Sequence, residues 1–127
     1  MTRSGKIAVA LALVGTVGVL SAPAPAHHSF AMFDQTKIAQ EARVTVAEFR
    51  FTNPHSFVVV NVQEGNKVTR YVFECSSVNM MSRAGWKFNT LKAGDKVDVT
   101  FYPLRNGKPG GMLKTIKVAD GRTLSGW

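Results

Sequence analysis

The side chains best suited to hold a metal ion in this sequence are its histidines: His27 and His28, which are adjacent, and His55. The adjacent pair follows Ala24-Pro25-Ala26, where an export signal would end. Arg3 and Lys6 precede a run of small and apolar residues from Ile7 to Leu20, and residues 21–26 are rich in Ala and Pro. A charged start, an apolar middle and a small-residue end are the order of a secretory signal peptide. The 14 residues of the apolar run fall short of the roughly 20 that cross a bilayer as a helix. Two A-x-A patterns compete. Cutting after Ala24 would break the tertiary amide before Pro25, whose φ is fixed. Cutting after Ala26 is expected instead, and it leaves His27 first.

An N-terminal histidine offers its α-amine and imidazole to one metal ion in a single chelate ring. A further imidazole, from His28 or His55, completes a T-shaped or square-planar nitrogen set. Such a set favours Cu(II), which also tops the affinity order of the divalent first-row ions. Asp34 could add an axial oxygen or orient a ring. The arrangement resembles the histidine brace of copper monooxygenases and of some periplasmic copper carriers, a likeness of site and not of fold. The competing reading makes His27-His28 a polar terminus and His55 a strand-end residue, with Glu48 as its partner.

Other candidate chemistry is thinner. Cys75, Met32, Met80, Met81 and Met112 would suit Cu(I), yet Met81 has core spacing and a lone buried cysteine behaves as a small hydrophobe. With a single cysteine, no intramolecular disulfide can form. Glu74 closes a strand shortly before Arg83, which makes an ion pair between them an expectation. Glu48, Glu74, Asn79 and Arg83 include acid-base groups, but no nucleophile triad, phosphate loop or cysteine-rich zinc spacing accompanies them. The formal charge is +8, of which Arg3 and Lys6 would leave with the signal. The remaining cations are scattered, and no run of them marks a nucleic-acid or heparin patch. A basic exported surface could face anionic lipid or polysaccharide instead.

The elements that must position these groups are mostly strands. Residues 27–38 lack a period and read as an arm packed by Phe30, Met32 and Phe33. Residues 40–51 alternate as a long strand, its two ends burying different faces. Thr52-Asn53-Pro54 interrupts it. Residues 55–62 and 68–75 form a hairpin around Glu64-Gly65-Asn66. Ser77 can cap a short helix with Val78, Met81 and Ala84 at helical spacing, ending at Gly85, with Trp86 as a core anchor. Strands at 96–102 and 112–119 flank a glycine-rich loop, and a short tail ends at Trp127. Three strands, a helix and two more strands is the order of the five-stranded OB-like Greek-key barrel. A β-sandwich would need about seven strands. The expected organisation is a signal peptide over 1–26, an arm over 27–38 and an OB-like domain over 39–127. In nucleic-acid-binding members of this fold, aromatics on the strands stack bases. Here Phe49, Phe51, Phe57, Tyr71, Phe73 and Tyr102 are needed mainly for the core.

The chain resembles a family of small exported bacterial proteins of uncharacterised function with an OB-like domain. The matching stretches are His27-His28-Ser29-Phe30 with Phe33-Asp34, and Glu48-Phe49 leading into Thr52-Asn53-Pro54-His55. Phe73-Glu74, Ser77, Asn79, Arg83-Ala84-Gly85-Trp86 and Leu91-Lys92-Ala93-Gly94-Asp95 follow. Cys75 stands where that family more often has a small residue. The resemblance implies a fold and a compartment, periplasmic or secreted, and no activity. The expectation is a non-catalytic protein that binds copper through His27 or delivers it to an exported partner, with no nucleic acid and no transmembrane segment after cleavage. A binding module for a peptide, glycan or protein, with purely structural histidines, is the alternative. A copper oxidase would further need an open coordination position and a substrate surface.

Overall fold

A computed structural model describes residues 30–127. The segment expected to be a signal peptide, its expected cleavage junction and His27-His28 lie outside the described residues. Strand β1, Ala39–Arg50, is the long alternating stretch. Its register slips twice, between Glu41 and Val44 against one neighbour and between Val46 and Glu48 against the other. Arg43, with φ 54°, sits in the first irregularity, where its amide donates to Asp98 Oδ1 at 2.7 Å. An extra residue in a strand turns the following side chains to the opposite face. Val44 and Val46 are therefore buried in the same core against which Phe49 and Phe51 pack.

Strands β2, Phe57–Glu64, and β3, Lys67–Glu74, form the expected hairpin, with Gly65 at φ 60° in its two-residue turn. Strand β2 starts two residues later than its composition suggested, because His55 and Ser56 are used in the connection. Helix α1, Val78–Arg83, comes next, followed by β4, Lys96–Pro103, and β5, Gly110–Lys117. The sheet order is β3-β2-β1-β4-β5. Parallel pairing of β3 with β5, from Val72↔Gly110 to Glu74↔Met112, closes it into the five-stranded OB-like barrel. A Cβ at Gly110, where φ is 120°, would run into the Val72 backbone, so this closure uses a glycine. An additional strand β6, Thr123–Ser125, pairs with β5 where only a tail was expected. Three residues are too few to show a period.

The helix is built as its sequence reads. Ser77 Oγ accepts from the Met80 amide at 3.3 Å, and Gly85 has φ 95° at the exit. Met81 and Trp86 enter the core with Phe73, Leu113 and Ile116. Trp86 Nε1 donates to the Ser125 carbonyl at 2.8 Å, tying the helix exit to β6. The described part of the arm opens with a 3-10 turn over Phe30–Met32, after which Phe33 is buried and bridges to Leu104. Backbone bonds from Asp34 N to Pro103 O (2.8 Å) and from Arg105 N to Met32 O (3.0 Å) lay the arm along the end of β4. No described helix is long and apolar enough to cross a membrane.

Candidate functional site

His55 lies in the connection between β1 and β2, which two local bonds and one bond to the start of α1 shape. Thr52 Oγ1 donates to the His55 carbonyl at 2.9 Å, and Ser56 Oγ accepts from the Thr52 amide at 3.2 Å. Asn53 Oδ1 accepts from the Val78 amide at 2.9 Å, which satisfies one of the open donors at the start of α1. The Asn53-Pro54 peptide is cis. Beyond His55, the Ser56 amide donates to the Ser76 carbonyl and the Cys75 amide to the Ser56 carbonyl. The β2–β3 pairing is thereby carried past the strand ends, and His55 is set beside the exit of β3.

There, His55 Nδ1 is 3.1 Å from the Cys75 carbonyl oxygen and 3.3 Å from Glu74 Oε1. A carbonyl can only accept, so Nδ1 donates here, and Nε2 is the nitrogen whose lone pair a neutral ring would offer. A carboxylate and a carbonyl holding one ring nitrogen is the arrangement that orients metal-binding histidines elsewhere. Trp127 completes the wall. Its ring centroid is 5.5 Å from that of His55, and its Nε1 donates to the Glu74 carbonyl at 3.1 Å. Phe30 meets Trp127 edge to face at 5.2 Å. Arm, loop, strand end and tail converge on one imidazole.

The partner of His55 is therefore Glu74 rather than Glu48. Glu48 stands opposite Val59 and pairs with Arg50 (3.1 Å) and Arg70 (3.0 Å) on the outer face, where Arg50 also lies over the Phe57 ring. Nor does Glu74 pair with Arg83, which the helix leaves exposed. The sequence did hold the signal. A two-residue turn that pairs Glu64 with Lys67 places Phe57 opposite Glu74, and His55, two residues before Phe57, then falls on the same face. For Trp127, a lone aromatic in an irregular tail, no comparable signal exists.

Asp34 is bonded within its own turn. Its Oδ1 accepts from the amide (3.1 Å) and hydroxyl (2.6 Å) of Thr36, and Lys37 Nζ is 3.4 Å from Oδ2. The Thr36 hydroxyl bond, foremost, with the Thr36 amide bond and Lys37, holds the Asp34 carboxyl below the usual range, against some desolvation. Among the described residues, no group of three His, Cys, Asp or Glu side chains is placed to hold a metal ion. Cys75 is buried in the barrel core, and burial, helped by the Glu74 charge, pushes its thiol far up. It stays a protonated hydrophobe, not a thiolate ligand. Of the strand aromatics, Phe73 is fully buried, and Phe49, Phe51 and Tyr71 pack on the core.

Fold and site together define a small OB-like barrel that holds one histidine by its Nδ1 at the meeting of its arm and tail. The chain belongs to the Family of unknown function (DUF6152), whose model matches residues 15–114. That match includes His55 and Glu74 but ends before β6 and Trp127. No curated protein and no solved structure matches the chain.

Proposed function

We propose that this protein is exported and binds copper, for storage or for delivery to a partner, with His27 as the first residue after signal cleavage. His27 supplies amine and imidazole, and His55 Nε2 supplies the third nitrogen. The observation that carries the reading is the contact chain Phe30–Trp127–His55. It fastens the chain next to His27 and His28 beside an imidazole whose Nδ1 is already held. From His27 to Phe30 the extended chain spans at most about 11 Å. The nitrogen-rich donor set favours Cu(II), and the Glu74 carboxylate would raise the basicity of the His55 ligand.

Calorimetric titration of Cu(II) into protein with its native His27 terminus tests this. The same chain with one Met retained before His27 keeps every side chain but loses the amine chelate, and it should bind at least tenfold more weakly. His55→Ala separates a folded site from a flexible terminal peptide and should weaken binding comparably. Equal affinity in mature and extended protein would remove the chelate from the reading.

A further inference from the structure

Between α1 and β4 the chain makes a tight turn over residues 87–90. The Thr90 amide donates to the Lys87 carbonyl at 3.0 Å, and the Lys87 amide donates to Thr90 Oγ1 at 2.7 Å. Phe88 and Asn89 are the two central residues. On either side stand Trp86 and Leu91, both buried members of the barrel core. Phe88 is 79% exposed, more than any other large apolar side chain among the described residues. The doubly bonded turn, anchored at both ends, presents this ring rigidly to the surroundings.

Beside the turn lies an open cleft of about 360 Å³, lined by Lys87, Asn89, Thr90, Lys92 and Arg122, with Asp95 and Asp120. Both carboxylates are already engaged. Asp95 Oδ2 accepts from the Lys92 amide at 2.9 Å, while Asp120 holds the Arg122 side chain at 2.8 Å and its amide at 3.0 Å. Among the described ion pairs, none involves the ammonium of Lys87 or Lys92. The cleft thus carries three cations, Lys87, Lys92 and Arg122, against the two carboxylates Asp95 and Asp120, a positive excess next to a projecting apolar ring.

We propose that this turn binds the surface of an anionic phospholipid bilayer, independently of any metal. Phe88 enters the boundary between headgroups and acyl chains, and Lys87 and Lys92 meet lipid phosphates beside it. Stable attachment to a bilayer generally needs an apolar and an electrostatic contribution together, and both are present between Lys87 and Lys92. A soluble anion would use the cleft and leave Phe88 in water. A bilayer uses both.

The test is co-sedimentation of the mature chain with vesicles made of equal parts phosphatidylglycerol and phosphatidylcholine, against vesicles of phosphatidylcholine alone. Binding is expected to the anionic vesicles only, and to weaken as added salt shortens the reach of the charges. Phe88→Ala should lower partitioning about tenfold, and Lys87→Ala and Lys92→Ala about fivefold each. Phe88→Trp is the second variant, and the emission it adds to that of the parent chain should move to the blue on anionic vesicles. Unchanged partitioning of Phe88→Ala, or no blue shift in the Phe88→Trp variant, would overturn the proposal, leaving general electrostatic adsorption. Complete release by millimolar inorganic phosphate, at matched ionic strength, would assign the cleft to a free anion and equally overturn it.

Discussion

Trp127 and His55 meet ring against ring, centroids 5.5 Å apart, and both are fastened to one residue, Glu74. The indole donates to the Glu74 main-chain carbonyl, and the imidazole faces the Glu74 carboxylate. Residue 74 is the last of β3 and lies within the stretch that closes the barrel onto β5. The aim of the His55 ring is thus set by barrel closure, and the tail only covers it.

Glu74→Gln keeps the shape of that side chain and removes its charge. If His55 is a copper ligand, the substitution should weaken Cu(II) binding by about 10–100-fold, the usual effect of losing a partner behind a ligand. Calorimetry on the mature protein reads it. Unchanged affinity would place the copper away from His55.

Trp127 should report the same event by light. Cu(II) within a few ångströms of His55 should quench the indole whose ring centroid lies 5.5 Å from that imidazole more strongly than Trp86, which is buried in the core. Most of the copper-induced quench should vanish in Trp127→Phe, which keeps a ring over His55, with binding preserved. A quench that survives in Trp127→Phe would locate the metal elsewhere.

Much of this arrangement could be read in advance, and the reasons are local. Ser77, Met81, Gly85 and Trp86 announce a capped helix because capping and helical spacing act within a few residues. The position of Glu74 was also within reach, since a two-residue turn fixes the register of everything behind it. The switch of apolar positions from Val44 and Val46 to Phe49 and Phe51 already implied that the two ends of this strand bury different faces, and the irregularity between Val46 and Glu48 is how the strand does it. Strand β6 is decided by pairing with the neighbouring β5 over three residues, too few to show a period, and the Trp127 contact by the position of β3, which lies far away along the chain. Nothing at residues 123–127 encodes them locally.

Cys75 should be inert in the native protein. Its thiol is buried and its ionisation is suppressed by desolvation and by the neighbouring Glu74 charge. Because the thiolate is the reactive form, iodoacetamide at pH 8 should leave Cys75 unmodified until denaturant unfolds the barrel, as intact mass would show. Rapid alkylation under native conditions would mean that the barrel opens readily near the exit of β3.

Gly110→Ala tests the closure itself. The added methyl would meet the Val72 backbone, at a φ that side chains resist. A loss of about 3 kcal/mol or more in urea unfolding is expected, in the upper range for single substitutions. Gly65→Ala, at a positive φ in open space, should cost about 1 kcal/mol, from backbone strain alone. Equal losses at the two positions would show that strain, not the close approach of β3 and β5, governs the effect.

Acid should act on the arm and on copper binding in separate pH ranges. Asp34 has a folded pKa below its ordinary value of 3.8, chiefly through Thr36. Its contribution to the arm is therefore fully present above that ordinary value and fades as pH falls through the lower folded one. A free α-amine ordinarily titrates near 7.7–8.0 and an imidazole near 6.5, so if the chain starts at His27 protons compete with copper from about pH 8 down to pH 5. Cu(II) affinity should fall across that interval while the arm stays docked until about pH 4, as hydrogen-exchange protection of the Asp34 and Arg105 amides in metal-free protein would show. If the two changes coincide, copper is lost because the arm detaches, and proton competition at the terminus is not the cause.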